Sequence, residues 1–228
     1  MRRRSRLPFL IAAVLLVLLA IGLAMREEKD KAEEQEQTKP FDYYALVLGW
    51  SPSYCAAEGK QRRDRQCETP HGFVLHGLWP QYAKGWPQDC KTRKRPWVSQ
   101  TVIDRMLDIM PSKSLIIHEY RAHGTCSGLE PEEYFRLARD AYTRIALPPR
   151  FEGTANRLQL SPAEIEAEFL KANSWLEPSM ISVSCRAKQL LDVRFCFGRD
   201  LSPISCGPNE KRRLCRTGSV TIPPAEAR

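Results

Sequence analysis

Glycine is scarce relative to proline in this 228-residue chain, 12 against 17, and neither residue recurs with a short period. That excludes a collagen-like fibre, and the composition does not suit a coiled coil. No segment repeats at 20–50 residues, so solenoids and propellers are excluded as well. No glycine-rich loop follows an apolar strand, which disfavours a doubly wound nucleotide-binding fold. None of the eight cysteines forms a C-x-x-C pair, so zinc ribbons and thioredoxin-like redox motifs lack their signature. Histidine is the scarcest group that titrates near neutrality: there are four, and none has the H-E-x-x-H spacing of a zincin.

What is present fits one exported domain. The hydrophobic fraction is 43%, enough for a packed core. The net charge is +8, of which +6 falls on residues 41–228. A positive body suits a polyanionic partner such as nucleic acid or an anionic membrane; a plain solvated basic surface is the competing reading.

The chain opens with Met1-Arg-Arg-Arg-Ser-Arg6 and then runs uncharged and mostly apolar from Leu7 to Ala24. Arginines ahead of an apolar stretch mark a cytoplasmic end, with translocation of the downstream chain. Residues 1–25 therefore read as a signal peptide, with cleavage after Ala24, or as an uncleaved signal anchor that holds the protein to the membrane. Residues 26–40 are almost all charged or Gln and read as a linker. Folded protein is expected over 41–228, outside the cytoplasmic membrane, periplasmic or secreted. All eight cysteines lie there, an even number that suits up to four disulfides in an oxidising compartment. Spacing alone leaves 105 pairings open.

Along that domain, Phe41–Trp50 and Gly72–Trp79 read as strands, the second ending at Pro80. Ser99–Met110 and Pro131–Ala146 read as helices, and Ser161-Pro-Ala-Glu164 is a capping box that opens a third, reaching about Trp175. Ile181–Ser184 and Leu190–Phe197 are further strands. Strands at both ends with helices between suggest an α+β fold with a central antiparallel sheet, several helices and disulfide bonds, preceded by the N-terminal hydrophobic helix.

All four histidines fall in two short segments, His71-Gly-Phe-Val-Leu-His76-Gly-Leu-Trp79-Pro80 and His118-Glu119-Tyr-Arg-Ala122-His123-Gly-Thr-Cys126. Two histidines, one acid and one base, could move both protons of a phosphoryl transfer without a metal. A zinc hydrolase is the rival, but His118 and His123 are five apart, about 140° round a helix. Four unrelated histidines satisfied by packing would not explain the clustered Glu, Trp and Gly neighbours.

These two segments resemble the two active-site signatures of the ribonuclease T2 family, HGLWP and HEW-x-K-HGTC. The resemblance covers roughly residues 41–216 and is supported by Gly-Trp-Ser-Pro at 49–52 and Glu-Glu-Tyr-Phe at 132–135. It implies an α+β endoribonuclease that needs no cofactor or metal and cleaves single-stranded RNA through a 2′,3′-cyclic phosphate. By resemblance, His76 is the general acid, His123 the general base and His118 a phosphate binder, while Glu119 stabilises the pentacoordinate phosphorus. His71 matches no signature position. Tyr120 stands where the family usually has Trp, and Ala122 where it usually has Lys. Losing one preorganised charge donor costs on the order of 10²–10³-fold in rate. Slower catalysis, a relocated cation, or a weakened RNA- or partner-binding module on the same fold are the consequences to separate.

The resemblance also implies the disulfides Cys55–Cys67, Cys90–Cys126, and Cys185–Cys215 around Cys196–Cys206. For the substrate, Trp79, Tyr82 and Trp86 are the candidate base-stacking rings, with Trp97 beyond. Lys84, Lys91, Arg93, Lys94 and Arg95 are interleaved with them as a strand-binding loop requires.

Overall fold

The computed structural model describes residues 15–16, 18–27, 40–59, 63–92, 95–153 and 155–225. Chain proximity divides it after Pro40, and the two parts are taken separately. In the first, residues 18–27 are helical and exposed. Among the described residues, no helix is long and apolar enough to cross a membrane. The expected apolar run 7–24 falls partly, and the linker 26–40 mostly, outside the described residues.

In the second part six strands form one sheet: β1 (Tyr43–Trp50), β2 (Phe73–Gln81), β3 (Leu158–Leu160), β4 (Ile181–Arg186), β5 (Gln189–Phe197) and β6 (Val220–Ile222). The order is β2-β1-β5-β6-β3, with β4 also paired to β5. Every pairing is antiparallel except β5 with β6, which is parallel at Gln189 and Thr221. The sheet is antiparallel as expected, apart from that one short parallel pair at its β5–β6 junction, which makes it mixed. The return from β5 to β6 is long, and a parallel pair needs such a connection. β3 and β6 are three residues each, too short to show a period in sequence. Pro80 does not end β2, which runs on to Gln81. β2 is the edge strand of the order, where a residue without an N–H is tolerated.

Helices fill the connections: α1 (Ser51–Tyr54), α2 (Gln100–Met106), α3 (Lys113–Ala122), α4 (Pro131–Thr143), α5 (Pro162–Ala172) and α6 (Pro208–Arg213). α2 is shorter than its apolar spacing suggests, and Pro111 lies shortly beyond it. The capping box is formed: Ser161 Oγ accepts from Glu164 N–H at 3.2 Å, and the Glu164 carboxylate accepts from Ser161 N–H at 2.7 Å. α6 gives little sequence signal, being a short run of polar and basic residues.

Strand alternation separates two faces of the sheet. Tyr44, Leu46, Leu48 and Trp50 of β1 join the main core with Ile103, Ile116, Phe135 and Phe169 from four helices. Tyr43, Ala45, Val47 and Gly49 alternate with them and face the other way. On β5, Val193, Phe195 and Phe197 are in the main core, and Asp192, Arg194 and Cys196 alternate with them. α6 lies against this second face. The Tyr43 hydroxyl donates to Glu210 at 2.6 Å, and Asn209 Nδ2 donates to Gln81 Oε1 at 3.1 Å. The bonded cysteines are Cys55–Cys67, Cys90–Cys126, Cys185–Cys215 and Cys196–Cys206, the pairs the resemblance implies. The last two tie the chain on either side of α6 to β4 and β5.

Phe169 is the hub of the main core. It is fully buried and meets the rings of Phe73, Phe151 and Phe195 at centroid distances of 5.3, 5.9 and 5.4 Å. Truncating a buried aromatic costs about 3–5 kcal/mol, since the cavity refills only in part. Phe169→Ala is expected to lose that much in urea denaturation with the disulfides intact.

Candidate active site

The site begins with a fault in strand pairing. Val47 lies opposite Gly77 but Leu48 lies opposite Leu75, so His76 is an extra residue on β2. Such a bulge re-aims side chains. Here it keeps Leu75 and Leu78 in the core although they are three apart, and turns His76 and Gly77 to the second face. Gly49 lies beneath the His76 ring: a Cβ there would sit 3.5 Å from His76 Nδ1. Gly77 has no such freedom, because a Cβ there would overlap Glu119 Oε2 and Trp79 Nε1.

Glu119 comes from α3. Ser112 caps this helix by accepting from Leu115 N–H at 3.2 Å, and its hydroxyl donates to Asp64 at 2.8 Å, which fixes the start of the helix to the loop before β2. Glu119 and His123 are four apart, so both come to one side of the helix end. His123 is the C-cap, with its N–H bonded to Glu119 O at 3.0 Å. The next turn needs Gly124, since a Cβ there would overlap the Tyr120 ring. Tyr120 is buried, and its hydroxyl donates to Leu129 O at 3.0 Å.

These pieces meet at Glu119, which is 1% exposed. One oxygen accepts from Trp79 Nε1 at 2.6 Å, and the other lies 3.4 Å from His76 Nε2. Trp79 also stacks on His123, with centroids 4.8 Å apart and planes at 29°, and meets the edge of His76 at 5.5 Å. One indole ring thus touches both histidines and the carboxylate.

The electrostatics separate the two histidines. Burial alone would push the His76 pKa down, but the Glu119 charge and hydrogen bond outweigh it and hold it above the usual histidine value. Asp192 adds to the rise, and Arg194 opposes it. His123 moves the other way: burial lowers its pKa, and Glu119 restores only part of the loss. Its Nδ1 is buried without a hydrogen-bond partner among the described residues. Burial would raise the Glu119 pKa, but the charge of His76 and the donors around it bring it below the usual value, so the carboxylate stays ionised.

His118 is exposed on α3. His71 stands apart from the cluster, its Nε2 2.8 Å from the Thr69 hydroxyl. Among the described residues, no three His, Cys, Asp or Glu side chains gather as a metal cage.

A cleft of about 190 Å³ opens beside His123 and Trp79, lined also by Gln81, Trp86, Arg194 and Arg213. A shallower hollow of about 550 Å³ continues past Trp86 to Lys84 and Arg212. Of the expected stacking rings, Trp79 and Trp86 line the cleft. Trp86 is 41% exposed, with Arg213 Cζ 5.0 Å from its ring. Tyr82 departs from the expectation. It is 8% exposed and packed in the main core, which leaves no open ring face for a base. Trp97 is 74% exposed and lines neither hollow; Lys91 and Arg95 are exposed; Arg93 and Lys94 lie outside the described residues.

The sequence reading missed Asp192, Arg194, Asn209 and Arg213. A signal existed for the first two: Leu190–Phe197 is apolar except for Asp192 and Arg194, two apart and hence on one face of the strand.

An α+β domain with two histidines flanking a buried carboxylate, beside an arginine-lined cleft, has the build of an acid–base enzyme for an anionic substrate. The model of the Ribonuclease T2 family matches residues 41–206, and the chain belongs to that family and is an endoribonuclease. It is 46% identical over 176 residues to "Ribonuclease" from Aeromonas hydrophila, a match covering 76% of this chain and 80% of that one. Ribonuclease DdI from Dictyostelium discoideum is 27% identical over 231 residues, covering 94% and 98%. Among solved structures, an RNase-related protein from Calystegia sepium shares the fold, with a TM-score of 0.63 at 23% identity over 81% of this chain and 98% of that one. RNase NT, solved with 5′-AMP, also shares it, with a TM-score of 0.61 at 23% identity over 82% and 100%.

If Glu119 is what holds the His76 pKa up, its removal must lower it. In Glu119→Gln, NMR titration of the His76 ring should shift to lower pH than in the parent, because burial then acts against the imidazolium with less opposition.

Proposed function

We propose that the protein cleaves single-stranded RNA by transphosphorylation, without a metal ion, through a 2′,3′-cyclic phosphate. The observation that carries this reading is the pair of histidines with oppositely displaced pKa values on one indole ring. His123, held neutral by burial, takes the proton from the 2′-hydroxyl. The 2′-oxygen attacks the neighbouring phosphorus, and the bond to the 5′-oxygen breaks. His76, held protonated by Glu119, delivers a proton to that leaving oxygen. One proton leaves and one arrives, so the step balances, with a free 5′-hydroxyl as the second product. Glu119 is the positioning residue: it sets the charge of His76 and the plane of Trp79. His118 is assigned to phosphate binding, and the rings of Trp79 and Trp86 to the bases. The 2′-hydroxyl is the nucleophile, so DNA is not a substrate.

Four disulfides and an arginine-led apolar N-terminus support export to the periplasm or beyond. The apolar run serves there as a cleaved signal or as an anchor. The N-terminal residue of the exported chain separates the two: Met25 means cleavage after Ala24, and Met1 means a retained anchor.

Incubating the oxidised protein with a short single-stranded RNA in EDTA should give fragments ending in a 2′,3′-cyclic phosphate by mass spectrometry. The pH dependence of kcat/KM should be a bell, rising as His123 loses its proton and falling as His76 loses its own. The rise should lie below the usual histidine pKa and the fall above it. His123→Ala should bind RNA and not cleave it. Binding without cleavage by the parent chain would mark a binding module, and cleavage only with added zinc a metalloenzyme.

A further inference from the structure

Transphosphorylation builds negative charge on the phosphoryl oxygens, and α3 brings no cationic side chain into the cleft to meet it. Position 122, where a lysine would be expected, holds an alanine that is 1% exposed. Its carbonyl accepts from Asp89 N–H at 2.9 Å, and the next residue along, Cys90, is bonded to Cys126, so a strap covers this side of the helix end. Arg121 is exposed and does not line the cleft.

We propose that Arg194 of β5 is the cation that faces the scissile phosphate, with Arg213 of α6 flanking it. Arg194 lines the same cleft as His123, and its Cζ lies 4.9 Å from the centroid of Trp79, the ring on which His123 stacks. Arginine and base are therefore arranged around one rigid indole. The strand register explains the placement. Arg194 pairs with Val47, which pairs with Gly77, so the three occupy one row across β5, β1 and β2. Side chains in such a row share a face, and Gly77 is the position that opens toward Glu119.

The guanidinium is fixed in place. Its Nε donates to Asp192 Oδ1 at 2.8 Å and its Nη2 to Asp192 Oδ2 at 3.3 Å, a bidentate fork with both side chains over nine-tenths buried. Nη1 takes no part in that fork. An arginine held this way keeps one edge of its rigid fork for an incoming anion, already oriented. Arg213 closes the cleft from α6, with its guanidinium over Trp86. Both arginines come from the C-terminal part of the chain, so charge that a helix lysine would bring arrives instead from the sheet and from α6.

This inference rests on the cleavage chemistry proposed above, and its test is built so that the two can fail separately. With the full oxidised chain and a dinucleoside monophosphate, Arg194→Gln should lower kcat on the order of 10²–10³-fold, as for loss of one preorganised charge donor, with KM moving far less. Arg194→Lys should recover part of the loss, and guanidinium ion at millimolar concentration should restore part of the rate of Arg194→Ala. Unchanged kcat in Arg194→Gln overturns the proposal. So does an equal loss in all three variants without guanidinium rescue, which would make Arg194 only a support for Trp79. Should the variants not fold, titration of the parent with inorganic phosphate, followed by arginine side-chain NMR, decides: the Arg194 Nη signals should shift at saturable phosphate, and no shift overturns the proposal. A parent chain that does not cleave RNA would sink the functional reading alone, and the phosphate titration would still decide on Arg194.

Discussion

A single buried carboxylate governs the site. Glu119 is ionised and nearly out of water, a state that costs on the order of several kcal/mol unless the charge is paired and hydrogen-bonded. The indole N–H of Trp79 and the His76 ring meet that need, one at each oxygen. This requirement propagates outward. Trp79 must hold its angle, which also sets the stacking face for His123. Gly77 must have no side chain, or the carboxylate could not enter. The bulge must fall at His76, or Leu75 and Leu78 could not both face the core while Gly77 and Trp79 face the site. The same charge that must be satisfied is the one that raises the His76 pKa, so the folding constraint and the separation of the two histidines share one interaction.

The sheet makes that arrangement possible by dividing its labour. One face is apolar and is sealed by helices, with Trp50, Phe169 and Phe195 fully buried. The other carries polar and charged groups under α6: Asp192 and Arg194, the Tyr43–Glu210 contact, and the Asn209 bonds to Gln81 and the following loop. Buried polar groups persist only when they are partnered, and here most are partnered across elements far apart in the chain. The disulfides at 185–215 and 196–206 hold the α6 segment against that face. Such a short helix has little stability of its own.

Much of the outline was legible in the amino acids. The apolar runs at 41–50, 72–79 and 190–197 became strands because short, nearly continuous apolar runs rich in aromatic and branched residues suit strands buried on both faces. The capping box at Ser161 opened a helix because the local hydrogen bonds are complete within four residues. The histidine segments were visible because His, Glu, Trp and Gly rarely cluster for packing alone. Less legible were β3, β6 and α6, which are short and stabilised by distant partners. Tyr82 was misread as a stacking ring, since a tyrosine in a basic loop looks the same whether it faces solvent or the core.

The sequence by itself determined the even set of cysteines, the two histidine segments, the chemical types at the site and the alanine at position 122. Those are properties of residues and of spacings within a few positions. Only the tertiary structure decided that Glu119 binds both His76 and Trp79, that the two histidines are driven apart in pKa, and that Arg194 lies over the ring on which His123 stacks. Desolvation and Coulomb interactions depend on distances through space, and strand register brings together Gly77, Val47 and Arg194 from three separate stretches of chain. No local pattern records that juxtaposition.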